Sequence, residues 1–221
     1  MIKIHKVSKS YFQGSHRIEV LNQLNLEVSN NESVAILGQS GCGKSTLLSL
    51  LAGLDVPDSG TINIAGQDLS RLKQNQISDF RARTLGIVFQ QYHLMSNLTA
   101  LENVGLPLEL IYKPDFQEKS REALGLVGLS HRLAHFPSEL SGGECQRVAI
   151  ARAIVAAPKV ILADEPSGNL DNETGDEVMK LLFRLSKERK QSLILVTHNQ
   201  ELAHCCDRTL FLTKGKLKQI K

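Results

Sequence analysis

A chain of 221 residues with 42% hydrophobic and 22% charged residues has the size and make-up of one large globular domain, and it is too apolar for disorder. Its 26 basic and 23 acidic side chains leave a net charge of +3, short of a nucleic-acid footprint, and 5% aromatics with no Trp give little for single strands to stack on. No stretch reaches the roughly 20 apolar residues of a spanning helix, and the opening MIKIHKVSKSYFQG has no signal-peptide core, so any membrane is expected to come with another chain.

In chain order, the first third reads as strands. Residues 2–7, 18–28 and 33–37 are alternating or continuous apolar runs broken by Ser, Gly and Asn. A Gly-rich turn at 38–43 leads into a buried helix over 44–52, stopped by Gly53. A short strand over 60–66, a helix over 74–84 and a compact strand over 85–89 follow. Helical patterns then dominate at about 99–111, 116–127 and 142–157, separated by Pro114, Gly128 and Pro137. After Pro158 a buried strand (160–163), a long amphipathic helix (172–190), another buried strand (192–197), a short helix (199–206) and a hairpin-like ending (209–213, 216–220) complete the chain. Strands alternating with helices imply an α/β fold with a mostly parallel sheet and a helical lobe inserted in it. Cys42, Cys145, Cys205 and Cys206 form no CxxC pair; they read as free thiols in a reducing cytoplasm.

Three motifs carry chemistry. GQSGCGKST (38–46) fits G-x-x-x-x-G-K-[ST] between a predicted strand and a predicted helix. Gly38, Ser40, Gly41, Cys42 and Gly43 would curl their backbone N–H groups round a polyphosphate, and the helix start at Lys44-Ser45-Thr46 adds its dipole. Lys44 would reach the β/γ-phosphates, and Ser45 offers a hydroxyl to Mg²⁺. VILADE (160–165) ends an apolar strand with Asp164, placed to complete a Mg²⁺ shell, and Glu165, placed to polarise an attacking water. LSGGE (140–144) opens a helix: Ser141 can cap it, Glu144 stands at the capping-box position, and Gly142 and Gly143 let an anion approach. One polyphosphate is already accounted for at 38–46, so the second anion site suggests that another copy of the chain brings it.

Together these motifs, in order along nearly the whole chain, resemble the ATP-binding subunits of ABC transporters. The resemblance implies a P-loop NTPase (RecA-like) core, an N-terminal antiparallel β part and an inserted helical signature subdomain. It implies a single ATPase domain over 1–221, with 1–90 and 158–221 as the core lobe and about 91–157 as the helical lobe. It puts Tyr11 where the family stacks an aromatic on adenine. Gln90 looks like the Gln that touches Mg²⁺ and senses the membrane partner. Ser141, Gly142, Gly143 and Glu144 look like the signature that closes on the γ-phosphate of the opposite protomer. Asp164 and Glu165 look like the metal acid and the catalytic base, 167–171 like the loop linking two sites across a dimer, and His198 like the γ-phosphate switch.

EPSGNLD (165–171) and LTALENVGLP (98–107) are similar to the lipoprotein-releasing, macrolide-exporting and cell-division subgroup, and the tail looks closest to an uncharacterised-transporter branch of it. Ser167, Asn199 and Cys145 depart from the commoner residues without removing a catalytic group. The resemblance implies ATP and Mg²⁺ as cofactors. The implied partners are a second copy in an ATP-dependent homodimer and an integral membrane permease with a large extracytoplasmic domain, with no nucleic acid. It places the chain on the cytoplasmic face of a bacterial inner membrane. Export or extraction of a lipid, lipoprotein or hydrophobic compound is the expected work; force transmission through a non-transporting membrane partner is the alternative. Residues 86–101 contain no Asp, Glu, Lys or Arg, which suits a groove for a partner's cytoplasmic helix.

Overall fold

A computed structural model describes residues 2–219. Two compact units make it up. One runs from the N-terminus to Ser78 and resumes at Ser192; the other covers Asp79–Gln191.

The first unit opens with β1 (Ile2–Gln13) and β2 (His16–Val28), an antiparallel hairpin that β4 (Ser59–Ile64) and β5 (Gln67–Asp68) extend in the order β2-β1-β4-β5. The hairpin is longer than the apolar runs suggest. Its register shifts between Ile4 and Lys9, where Lys6 takes a left-handed φ of 47°, and its outer end is exposed, so the alternation that marks a strand is lost there. A second group of strands is parallel at its centre. β3 (Ser33–Leu37) pairs in parallel with β8 (Ser192–Val196) on one side and β9 (Arg208–Thr213) on the other, and β10 (Lys216–Gln219) closes antiparallel on β9. Residue 220 of the expected last strand lies outside the described residues. Val34, Ala35, Ile36 and Leu193–Val196 are fully buried, as strands covered on both faces must be. α1 (Lys44–Leu51) follows β3 through the Gly-rich turn and buries Leu47, Leu50 and Leu51. The short α7 (Gln200–His204) packs against β3 and β9.

The chain passes from the first unit into the second within α2 (Gln74–Thr84), which leads into β6 (Leu85–Phe89), and β6 pairs in parallel with β7 (Val160–Asp164). The register sets Phe89 opposite Asp164, so the chain leaves both strands at the same level, at Gln90 and Glu165. α3 (Ala100–Leu110), α4 (Phe116–Leu126) and α5 (Gly142–Ile154) pack on one another, and α5 also packs on β6 and on α6 (Asn172–Glu188). α5 stops at Ile154, short of the expected 157. Ala157 adopts φ 50° ahead of Pro158, and the residue before a proline is pushed out of the helical region.

Candidate functional site: a P-loop and a signature helix

The P-loop is a turn that only glycine can make at two positions. A Cβ on Gly38 would lie 2.5 Å from Cys42 Sγ and 2.8 Å from the Leu212 carbonyl oxygen. Gly43 takes φ 104°, and a Cβ there would lie 2.7 Å from Val20 Cγ1. Gly43 is the N-cap of α1 and offers no side chain to its N–H groups. Lys44 is buried, and its ammonium donates to the carbonyls of Gly38 (2.8 Å) and Gln39 (3.0 Å), closing the loop on itself. Ser40, Gly41 and Ser45 are exposed on the turn, and Thr46 is half-buried. The half-buried Cys42 thiol lies against the Gly38 backbone.

Tyr11 is anchored by groups that its sequence context does not announce. Its hydroxyl donates to Asp55 Oδ2 (2.7 Å), and Lys9 Nζ sits 5.1 Å from the ring centroid while donating to Asp55 Oδ1 (2.7 Å) and the Val56 carbonyl (2.8 Å). Burial and then the Asp55 bond push the phenol up. Burial alone would raise the Asp55 carboxyl, but the Lys9 and Tyr11 hydrogen bonds outweigh it and hold it below the usual carboxylate range. The exposed His198 belongs to the same unit, one residue past the buried Thr197. Asn199 caps α7 by accepting from the N–H groups of Glu201 (2.8 Å) and Leu202 (3.2 Å), a task Asn performs as well as Asp.

Gln90, Asp164, Glu165 and Ser141–Glu144 lie in the second unit. Gln90 and Asn169 exchange hydrogen bonds: Gln90 Nε2 donates to Asn169 Oδ1 (2.9 Å), and Asn169 Nδ2 donates to the Gln90 carbonyl (3.0 Å). Asp164 and Glu165 are half-buried, and Glu165 turns out of the strand in the left-handed region (φ 45°), a conformation that costs a non-glycine residue on the order of 1 kcal/mol. The signature start forms the full capping box. Ser141 Oγ accepts from the Glu144 N–H (3.2 Å), and the Glu144 carboxylate accepts from the Ser141 N–H (2.9 Å) and from Arg132 Nε (2.8 Å). The Ser141 N–H is the main cause holding that carboxyl below its usual range, with Arg132 adding to it. Gly142 is exposed and Gly143 buried.

Burial raises the Cys145 thiol, and it pushes Cys206 up to about 12, so neither forms thiolate readily. Sequence reasoning missed Asp55, Lys9 and Arg152. Arg152 carried a signal: it is the lone charge in VAIARAIVAAP (148–158), and a charge inside an apolar helical run needs a buried acceptor.

Comparison with known proteins agrees along the chain. The ABC transporter family pattern matches residues 21–168. The lipoprotein-releasing system ATP-binding protein LolD of Geobacter metallireducens is 47% identical over 98% of this chain and 97% of its own. The Xanthomonas campestris LolD is 46% identical over 100% and 93%. The uncharacterized ABC transporter ATP-binding protein YbbA of Escherichia coli K12 is 44% identical over 99% and 97%. Among solved structures, the dimeric post-hydrolysis state of the ATP-binding cassette MJ0796 bound to ADP and Pi superposes with a TM-score of 0.91 at 36% identity, covering 100% of this chain and 99% of that one. The α/β arrangement of a P-loop core with an antiparallel part and signature helices is therefore the cassette fold. Matches of this identity, running almost the full length of both members of each pair, place the chain in the ABC transporter family, among its ATP-binding subunits.

Proposed function

We propose that the chain hydrolyses ATP as the peripheral motor of a lipoprotein- or lipid-extracting permease on the cytoplasmic face of a bacterial inner membrane, working as a head-to-tail dimer of two copies. The observation that carries this reading is the near-full-length identity to LolD subunits. Among the described residues no helix is long and apolar enough to cross a membrane, which fits a subunit whose permease is a separate chain.

The residues present suit the nucleotide. Glycines at 38 and 43, where a Cβ would meet Cys42, Leu212 or Val20, fix the turn by internal packing, and Gly43 puts no side-chain cap on the α1 N–H groups that a polyphosphate would take. Tyr11 offers an exposed ring for adenine, with Lys9 beside it. Ser45, Gln90 and Asp164 are the proposed Mg²⁺ ligands: hydroxyl, amide oxygen and carboxylate form the all-oxygen set this hard ion takes. The Gln90 nitrogen is spent on Asn169, so its oxygen is the ligand atom. When bound, Mg²⁺ neutralises charge on the phosphates. Lys44 and the loop amides hold the β- and γ-phosphates, Glu165 accepts a hydrogen bond from the attacking water, and His198 contacts the γ-phosphate. Ser141, Gly142 and Gly143 present their helix start to the nucleotide of the other copy. The γ-phosphate thus bridges two chains, and its loss opens the dimer.

Glu165→Gln tests the reading. It should keep ATP binding, cut turnover by roughly two to four orders of magnitude, the worth of a positioned general base, and trap a dimer visible by light scattering with ATP and Mg²⁺. A variant that binds ATP normally but stays monomeric counts against the dimer, and full turnover removes Glu165 from its role.

A further inference from the structure

The segment after Gln90 is held by α5 through a side chain that the proposed mechanism does not use. Tyr92 and His93 both adopt left-handed backbone, φ 55° and 47°, which two successive non-glycine residues do not keep without outside support. Their carbonyls converge on one group. Arg152 donates through its two terminal nitrogens to Tyr92 O and His93 O, at 2.6 Å each. The turn is further drawn in by the Tyr92 N–H to Phe89 O (3.3 Å), by an edge-on contact between the Phe89 and His93 rings (centroids 4.8 Å apart), and by Gln146 Nε2 on Phe89 O (3.4 Å).

Arg152 sits in an otherwise apolar stretch of α5, with Ala151 and Ala153 buried on either side. A guanidinium withdrawn from water there, meeting carbonyls, forms charge-assisted hydrogen bonds in a fixed fork. Gln90 therefore stands between two anchors. Asn169 holds its amide and carbonyl, and Arg152 holds the two residues that follow Gln91.

We propose that Arg152 is a positioning residue for Gln90, fixing the 90–93 turn to the helix that begins with the signature. The proposal rests on the reading that Gln90 serves the hydrolytic site. Arg152 lies 10 residues from the start of α5, about 15 Å along the helix at 1.5 Å per residue, so it acts from a distance on a turn whose side chains it does not share. Its loss leaves the P-loop sequence and geometry untouched while loosening Gln90.

The test uses the full chain. Arg152→Gln should raise amide exchange at least tenfold in peptides covering 90–98 and leave 33–52 at the wild-type rate. Turnover per folded molecule should fall about tenfold while KM for ATP stays within twofold, and unchanged exchange in 33–52 separates this from a mere loss of folded protein. Arg152→Lys keeps the charge without the fork and should fall between the two on both readings. It decides the matter alone if Arg152→Gln does not fold. Wild-type exchange in 90–98, unchanged kcat alongside raised exchange, or exchange raised equally in 33–52 would each overturn the proposal. Gln90→Ala is run beside them. If it leaves kcat unchanged, the role of Gln90 is what fails, and the exchange experiment still judges the clamp.

Discussion

α1 and α5 both begin on glycines after a turn, and they treat their free N–H groups in opposite ways. α1 starts at a left-handed Gly43 with no side-chain cap and no acid in its first turn. α5 starts at Ser141 inside a complete capping box, with Glu144 in its first turn. Both carry the same helix dipole, which favours an anion. At α1, among the described residues, neither an N-cap side chain nor a first-turn acid answers it, and Lys44 adds a positive charge. At α5 the chain answers part of it internally, and a free phosphate gains less by arriving. The difference accounts for a division of labour in the proposed mechanism. α1 can bind nucleotide in a single chain, while α5 contributes to a nucleotide already held by another copy.

The comparison breaks most sharply on two glycines. Gly43→Ala forces a side chain into φ 104° and to within 2.7 Å of Val20 Cγ1. ATP binding in the single chain should fall by two orders of magnitude or more, since misplacing two charge-assisted amide donors at about 1.5 kcal/mol each already reaches that, and the melting temperature should drop as well. Gly142→Ala meets only Tyr92 Oη at 3.0 Å and Leu170 Cδ2 at 3.3 Å, side-chain atoms that can yield by a few tenths of an ångström. Ala also favours a helix over Gly. Gly142→Ala should therefore keep its melting temperature and its single-chain ATP affinity, and lose about tenfold or more in dimer formation and turnover. Equal loss of single-chain ATP binding in the two variants would erase the distinction.

A smaller effect sharpens the α1 side. Tyr11→Ala should weaken ATP by about 1–3 kcal/mol if the ring stacks on adenine. From the sequence, Tyr11→Phe is expected to be nearly silent, because stacking needs only the ring. The bond to Asp55 changes that expectation, since the hydroxyl helps to orient the ring. Tyr11→Phe should cost about 0.5–1.5 kcal/mol of ATP affinity, the net worth of a hydrogen bond. Asp55→Ala should cost a similar amount, and the two losses should not add. Additive losses by calorimetric titration would mean that Asp55 acts elsewhere than through Tyr11.

What the sequence made legible follows the same division. The turn at 38–43, the buried strands and the Ser141–Glu144 box were readable because each depends on residues within a few positions: glycines before a helix, unbroken apolar runs, a hydroxyl three residues ahead of an acid. The outer end of the first hairpin was hidden by the bulge at Lys6, which breaks period-two alternation. Partnerships across long stretches of chain were hidden altogether. Asp55 reads as one more acid in a turn (Gly53-Leu-Asp-Val-Pro-Asp-Ser-Gly60), and nothing local ties it to Tyr11. Asn169 lies in a motif, but its exchange with Gln90 spans 79 positions. Arg152 was visible only as a charge in the wrong surroundings, a sign that a partner exists without saying which.

The smallest predicted effect concerns the self-capping of α5. The Glu144 carboxyl is held below its usual pKa first by the Ser141 N–H and then by Arg132. A depressed folded-state pKa adds stability that is present above the unfolded value, near 4.3 for Glu, and is lost as pH falls through the folded one. Glu144→Gln keeps an acceptor for the Ser141 N–H, because Gln also completes a capping box. It loses the charge that meets Arg132 and the helix dipole. At neutral pH the variant should be less stable by roughly 0.3–1 kcal/mol, or about 1–4 °C in melting temperature for a chain of this length. The gap should hold constant above about pH 5 and close as the pH is lowered toward 3, where the wild-type carboxyl is protonated as well. A gap that widens on acidification would mean that Glu144 stabilises α5 by something other than its charge. With the first-turn acid gone, α5 also moves toward α1 in character. ATP-dependent dimer formation by Glu144→Gln should be as strong as in the wild type or stronger, because one negative charge no longer faces the incoming phosphate. Weaker dimer formation at neutral pH would show that the carboxylate itself takes part in closing the two copies on the nucleotide.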